Sequence, residues 1–148
     1  MNFDEKVLQK AKKRIHFENI MNLKLYGELR KEMEIFSERI ISLTPNALHF
    51  NNQWKEVFDI DVFIQLVEHT HVTNSEINYI VQIVFDRLLK CCAPVQDEAI
   101  IEAMQTIKNI TDSNQKISQM FEIAYDIIED IEKMIHSFAD EMETRLSK

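Results

Sequence analysis

Glycine and proline punctuate a chain more strongly than any other residues. This sequence of 148 residues holds one glycine, Gly27, and two prolines, Pro45 and Pro94. So few interruptions disfavour a turn-rich β architecture and leave long helices as the expected element. Apolar residues make up 45% of the chain, which is too many for a disordered segment and enough for a core. At this length residues 1–148 are expected to bury one continuous core as a single helical domain. The predicted fold is all-α, a bundle of about six helices ending in a long C-terminal helix.

The periodicity places those helices. Residues 3–25 carry Phe3, Val7, Leu8, Ala11, Ile15, Phe17/Glu18 and Met21/Leu25 roughly on one side and Lys6, Lys10, Lys13 and Arg14 towards the other. Residues 1–27 thus form a basic N-terminal helix, which Gly27 would kink or end. Leu29, Met33, Phe36, Ile40 and Leu43 then recur at helical spacing until Thr44-Pro45-Asn46. Residues 45–54 read as the most irregular stretch, with Trp54 and Phe58 as inward anchors and the indole N–H needing a partner. Asp59 or Asp61 suits the N-cap of a short helix bearing Val62, Phe63, Leu66 and Val67. Thr73-Asn74-Ser75-Glu76 is a capping box opening a helix that buries Ile80, Val81, Val84, Leu88 and Cys92. Pro94 ends that helix and suits the first position of the next, with Asp97 and Glu98 at its positive dipole end. That next helix is expected to bury Val95, Ile100, Ile101, Met104 and Ile107. Asp112 with Gln115 offers a second capping box. From there Ile117, Phe121, Ala124, Ile128, Ile131, Ile135, Phe138 and Met142 alternate in steps of four and three, a heptad seam. Met120, Ile127 and Met134 widen it. The seam can pack against the bundle or, where the helix overhangs a small bundle, against a second copy.

The corner also carries a resemblance. Cys92-Ala93-Pro94-Val95-Gln96-Asp97-Glu98 resembles the Cys-Ala-Pro-Val-Arg-Asp-Glu signature of the T-complex protein 11 family, departing from it at Gln96. Val57-Phe58-Asp59-Ile60-Asp61 with Gln65-Leu66-Val67-Glu68-His69 is similar to that family's segment ending in Val-Glu-His. Met120-Phe121-Glu122-Ile123, running on to Phe138, is a looser match to its Phe-x-Glu-Ile helix. The resemblance spans roughly residues 28–138, and family members are usually much longer. It implies a non-enzymatic protein, of a family linked in animals to sperm function and in fungi and animals to cyclic-AMP-dependent kinase signalling.

The charge sets limits on partners. Net charge is −8, which argues against general nucleic-acid binding. The first 31 residues hold eight Lys/Arg against four acids, whereas from Pro94 onward acids outnumber bases twelve to five. Such asymmetry lets the two ends of the chain attract each other or steers a partner. A basic amphipathic helix over 3–25 can dock on an acidic membrane surface, or simply pack on the fold. No window reaches the ~20 apolar residues that span a bilayer, and no signal peptide is recognisable. Adjacent Cys91 and Cys92 cannot form an ordinary structural bridge, so a reducing, cytoplasmic setting is expected.

No catalytic, cofactor or metal site emerges. His69-x-His71 lacks further ligands in metal spacing. Cys91 or Cys92 beside His69 or His71 would make a nucleophile–base pair only if the fold joined them. Acids along the last helix, such as Asp126, Glu129 and Asp140, read as a solvated face. The expected function is therefore a helical interaction or regulatory module meeting a protein partner. The alternatives are a homo-oligomer joined through the 117–142 seam and a membrane-surface binder. Trp54, the basic residues Lys6, Lys10, Lys13 and Arg14, and the seam residues Ile117, Phe121, Ile128, Ile135 and Phe138 are the candidate contact positions.

Overall fold

Three of the helix starts in this chain are written in short polar side chains. The computed structural model describes residues 3–69, 73–91 and 96–147. Among these there are seven helices and no strand: α1 (Phe3–Asn22), α2 (Tyr26–Ser42), α3 (Leu48–Val57), α4 (Ile60–Glu68), α5 (Asn74–Cys91), α6 (Asp97–Lys108) and α7 (Ser113–Leu146). Asp59 caps α4 by accepting from the amide of Val62 at 3.1 Å. Thr73 accepts from the amide of Glu76 at 3.2 Å, and Asp112 accepts from that of Gln115 at 3.2 Å. Each satisfies one of the amides that a helix start leaves without an intrahelical partner.

The α1–α2 turn differs from the expected one. Gly27 lies inside α2 and makes no break; α1 ends at Asn22, and Lys24 takes a left-handed conformation at φ 57°. The amide of Leu25 donates to Ile20 O at 2.9 Å and that of Lys24 to Met21 O at 3.3 Å, the paired bonds of a Schellman stop. Glycine is the usual residue at that left-handed position, because a Cβ costs energy there. Lys24→Gly is therefore expected to stabilise the protein by about 0.5–1 kcal/mol, seen as a raised melting temperature. An unchanged or lowered value would show that the turn is not strained.

Packing is organised by the first half of α7. α1 runs antiparallel to it: Phe17 stacks on Phe121 with centroids 4.5 Å apart, Lys13 meets Glu129 at 2.6 Å, and Asn114 Nδ2 donates to Asn22 at 3.1 Å. α2 runs parallel to α7. Phe36 meets Phe121 edge-on at 5.2 Å and Tyr125 at 5.3 Å, and further along Arg39 pairs with Glu132 at 2.5 Å. On the other flank α5 and α6 pack on each other and on α7, while α4 packs on α2. The predicted faces of α2 and α5 are the buried ones, Leu29, Met33, Phe36, Ile40 and Leu43 on one, Ile80, Val81, Val84 and Leu88 on the other. On α6, Ile100, Met104 and Ile107 are buried, but Ile101 is exposed, one step off that stripe.

Residues 45–54 are not the irregular stretch their composition suggests. Two asparagines, a histidine and a glutamine give weak helix propensity, yet α3 forms because tertiary partners fix both of its inward residues. Trp54 is 2% exposed, stacks on Phe58 at 4.5 Å and donates from Nε1 to Ser37 Oγ at 2.9 Å. It is a core anchor rather than an exposed aromatic. Asn51 is buried as well, donating to Thr44 O at 2.7 Å and accepting from Thr44 Oγ1 at 3.0 Å. The corner residues Cys92, Ala93, Pro94 and Val95, and also His71, lie outside the described residues; Asp97 and Glu98 stand in the first turn of α6 as expected.

Burial also gives Tyr125 an alkaline signature. Enclosed between Phe17 and Phe36 near Arg39, its hydroxyl is pushed up to about 12, because the phenolate would lose its solvation. In the unfolded chain the same group ionises near 10. Folding thus favours the neutral ring, and the effect appears only where the unfolded tyrosine can ionise. Stability is expected to fall by about 2 kcal/mol as pH rises from 10 to about 12. Chemical denaturation of Tyr125→Phe across that range should lack this loss; the same slope in both proteins would assign it elsewhere.

Candidate functional site

The heptad seam of α7 changes role part-way along the helix. Ile117, Phe121, Ala124, Ile128 and Ile131 are buried against the bundle, so the inner seam cannot serve a second copy. Beyond Ile131 the stripe stands clear: Met134 is 40% exposed, Ile135 45%, Phe138 64% and Met142 40%. Of the seam over residues 117–142 expected to join a second copy, Ile117, Phe121 and Ile128 are already covered by the bundle, and only the residues beyond Ile131 remain exposed. Fifteen residues from Glu132 to Leu146 correspond to about 22 Å of helix. The antiparallel register brings the start of α1 to about residues 133–139, leaving the last two turns beyond it. Glu141 and Glu143 flank the exposed stripe, with Glu141 bridged to Arg145 at 2.8 Å.

The basic residues of α1 are largely engaged within the molecule. Lys10 pairs with Asp126 at 2.5 Å and Lys13 with Glu129 at 2.6 Å, and Lys13 also sits 5.0 Å from the Tyr125 ring centroid. The Asp126 hydrogen bond holds Lys10 above the usual lysine range. Arg14 lies 3.9 Å from Glu18 on its own helix, and Lys6 is exposed. Two of the eight basic residues in the first 31, Lys10 and Lys13, thus pair with acids of α7. The membrane-docking face predicted for residues 3–25 loses Lys10 and Lys13 to those pairs. Of the side of α1 expected to face the core, Phe17 and Met21 are buried, together with Ile20, whereas Val7, Leu8 and Ile15 are about half exposed.

A second feature was not visible in the sequence. α4 packs on α2 while α5 packs on α6 and α7, so a groove remains between α5 and the α3–α4 arm. One section, about 320 Å³, is walled by Val57, Phe58, Val62, Phe63, Leu66, Tyr79 and Ile80. It joins a section of about 400 Å³ through Val57 and Ile83, which line both. Phe50, Trp54, Arg87 and Lys90 line that second section, with Glu56 and Asp86 also on it. Arg87 is 4% exposed. Its Nη2 donates to Asn51 Oδ1 at 2.6 Å and Thr44 Oγ1 at 2.9 Å, and the guanidinium lies 3.5 Å from the Phe50 ring centroid. Among the described residues Nε and Nη1 are buried without an acceptor, and no ion pair to a carboxylate compensates the charge. Burial pulls the guanidinium below the usual arginine range. The signal available in the sequence was Phe50, Trp54 and Phe58 at four-residue spacing, facing Ile83 and Arg87 at the same spacing on α5.

The remaining candidates do not assemble into a reactive site among the described residues. The Cys91 thiol is half-buried, and burial pushes it up against the smaller opposing pull of Arg87, so it is not an activated thiolate. Glu68 and His69 are exposed at the end of α4. Among the described residues no group of three His, Cys, Asp or Glu side chains could hold a metal ion, and no helix is long and apolar enough to cross a membrane. No family model matches the chain, and no solved structure matches it.

Proposed function

We propose that this protein is a non-enzymatic helical interaction and regulatory module whose contact surface is the outer end of α7. The observation that carries this reading is the continuation of one apolar seam past Ile131, where the bundle stops covering it. A helix has little folding reason to keep Ile135, Phe138 and Met142 in register where the bundle leaves them about half open to solvent, and exposed apolar stripes rimmed by charge mark contact sites. Helix-in-groove recognition reads such i, i+3, i+7 anchors directly. The resemblance to T-complex protein 11 proteins points to the same class, a signalling adaptor in the cytoplasm rather than a catalyst.

The test is a photo-crosslinking residue placed at position 138, or at position 133 on the opposite face of the helix, in the native cell. Discrete protein adducts from position 138 and not from 133 are expected. Equal labelling from both positions, or none from either, would overturn the reading.

A further inference from the structure

Two features of the fold are incomplete by themselves: a projecting helix end with an apolar stripe and acidic flanks, and a groove with apolar walls and an end that carries Arg87 and Lys90 beside Glu56 and Asp86. We propose that the groove between α5 and the α3–α4 arm receives the outer end of α7 from a second copy of this chain. The proposal rests on the reading of that helix end as a contact surface, and names its partner.

The dimensions agree. From Glu76 to Lys90, the α5 wall of the groove is about 21 Å long at 1.5 Å per residue. With the incoming helix parallel to α5, Phe138 seats at the level of Ile83, where the two sections of the groove meet. Glu141 and Glu143 then lie about 4.5–7.5 Å further along. Arg87 and Lys90 lie about 6–10 Å beyond Ile83 on their own helix. The acids of the helix end thus arrive beside the cations of the groove.

Charge decides the direction. Arg87 is the most deeply buried arginine of the described residues, and a buried charge without a counter-ion is costly. Its Nε and Nη1 are themselves buried, so an incoming carboxylate acts on the guanidinium through its field at the groove rather than by direct hydrogen bonds to them. Lys90, exposed at the rim, attracts the same carboxylate on approach. Glu56 and Asp86 share that rim; Asp86 already accepts from Gln82 at 2.7 Å, and neither forms an ion pair with Arg87. In the opposite orientation the acids would meet Asp59 and Glu76, which line the other section. The apolar stripe fits that section, whose walls are nearly all hydrocarbon. Such a contact is heterologous, one surface meeting a different one on its neighbour.

That asymmetry supplies the experiment. Purified full-length protein is expected to self-associate reversibly at tens of micromolar in sedimentation velocity. Phe138→Asp removes the inserted anchor. Val57→Glu combined with Lys90→Glu closes the groove to an acidic helix, using two exposed positions that leave the core intact. Each variant alone should associate at least tenfold more weakly while keeping the wild-type circular dichroism and melting temperature. Mixed in equal amounts, the two should form one-to-one complexes and nothing larger, because one intact end still meets one intact groove. Glu143→Lys should in turn restore part of the affinity lost in Lys90→Glu. A monomeric wild-type protein, or a mixture no more associated than its components, would overturn the proposal; the second result is what end-to-end pairing of two α7 helices predicts. If position 138 crosslinks a different protein in the cell while the purified chain stays monomeric, the interaction reading stands and self-docking alone falls.

Discussion

Phe121→Ala is expected to destabilise the protein by about 3–5 kcal/mol, while Phe138→Ala, seventeen residues along the same helix and seam, should change stability by less than about 0.5 kcal/mol. Phe121 is fully buried, stacked on Phe17 and edge-on to Phe36, so truncation opens a void where three helices meet. The aromatic pairs are lost with it, each worth about 0.5–1.5 kcal/mol beyond the area buried. Phe138 is nearly two-thirds exposed and leaves no cavity. Urea denaturation of dilute protein makes the comparison, since any association would add apparent stability at high concentration. Equal losses at the two positions would mean that the outer helix is part of the core.

The second large effect concerns Arg87. Arg87→Ala is expected to cost about 3–4 kcal/mol, because it removes the packing on Phe50, leaves a void beside α3 and takes away the donor that ties Thr44 and Asn51 to α5. Arg87→Met should cost less than about 1.5 kcal/mol, as an apolar side chain of similar reach fills the space without a charge to desolvate. Asn51 Oδ1 keeps its bond from Thr44 Oγ1 in both variants, so no acceptor is orphaned. Thermal denaturation of the pair separates packing from charge. A Met variant as unstable as the Ala variant would show that α3 depends on the cation itself. In the association assay the ranking differs: both variants should bind the helix end weakly, since both lack the guanidinium.

The parts of this fold that the sequence discloses are those where a period and a cap agree. Leu29, Met33, Phe36 and Ile40 read as a face and are one, and Asp59, Thr73 and Asp112 announce the helix starts they make. Lys24 shows what local rules miss, since a left-handed stop on a lysine has no sequence signature while Gly27, three residues later, has the usual one and makes no break. α3 was hidden for another reason. Its stability comes from Ser37, Thr44 and Arg87, which are distant in sequence and lend partners to Trp54 and Asn51. The candidate surface was half legible. The heptads mark every residue of the seam, but where the bundle ends is a property of α1 and α2, whose lengths decide how much of α7 they cover. The groove left only the four-residue spacing of Phe50, Trp54 and Phe58 as a trace, because a gap between α5 and the α3–α4 arm depends on which helices do not pack.

Whether the seam divides at Ile131 is tested most directly by amide hydrogen exchange along α7 in dilute protein. Amides of about residues 117–131 should be protected close to the global stability of the fold, and those of about 136–146 should exchange as an uncovered helix end. Protection continuing undiminished through Met142 in a monomer, or lost already at Phe121, would contradict the account.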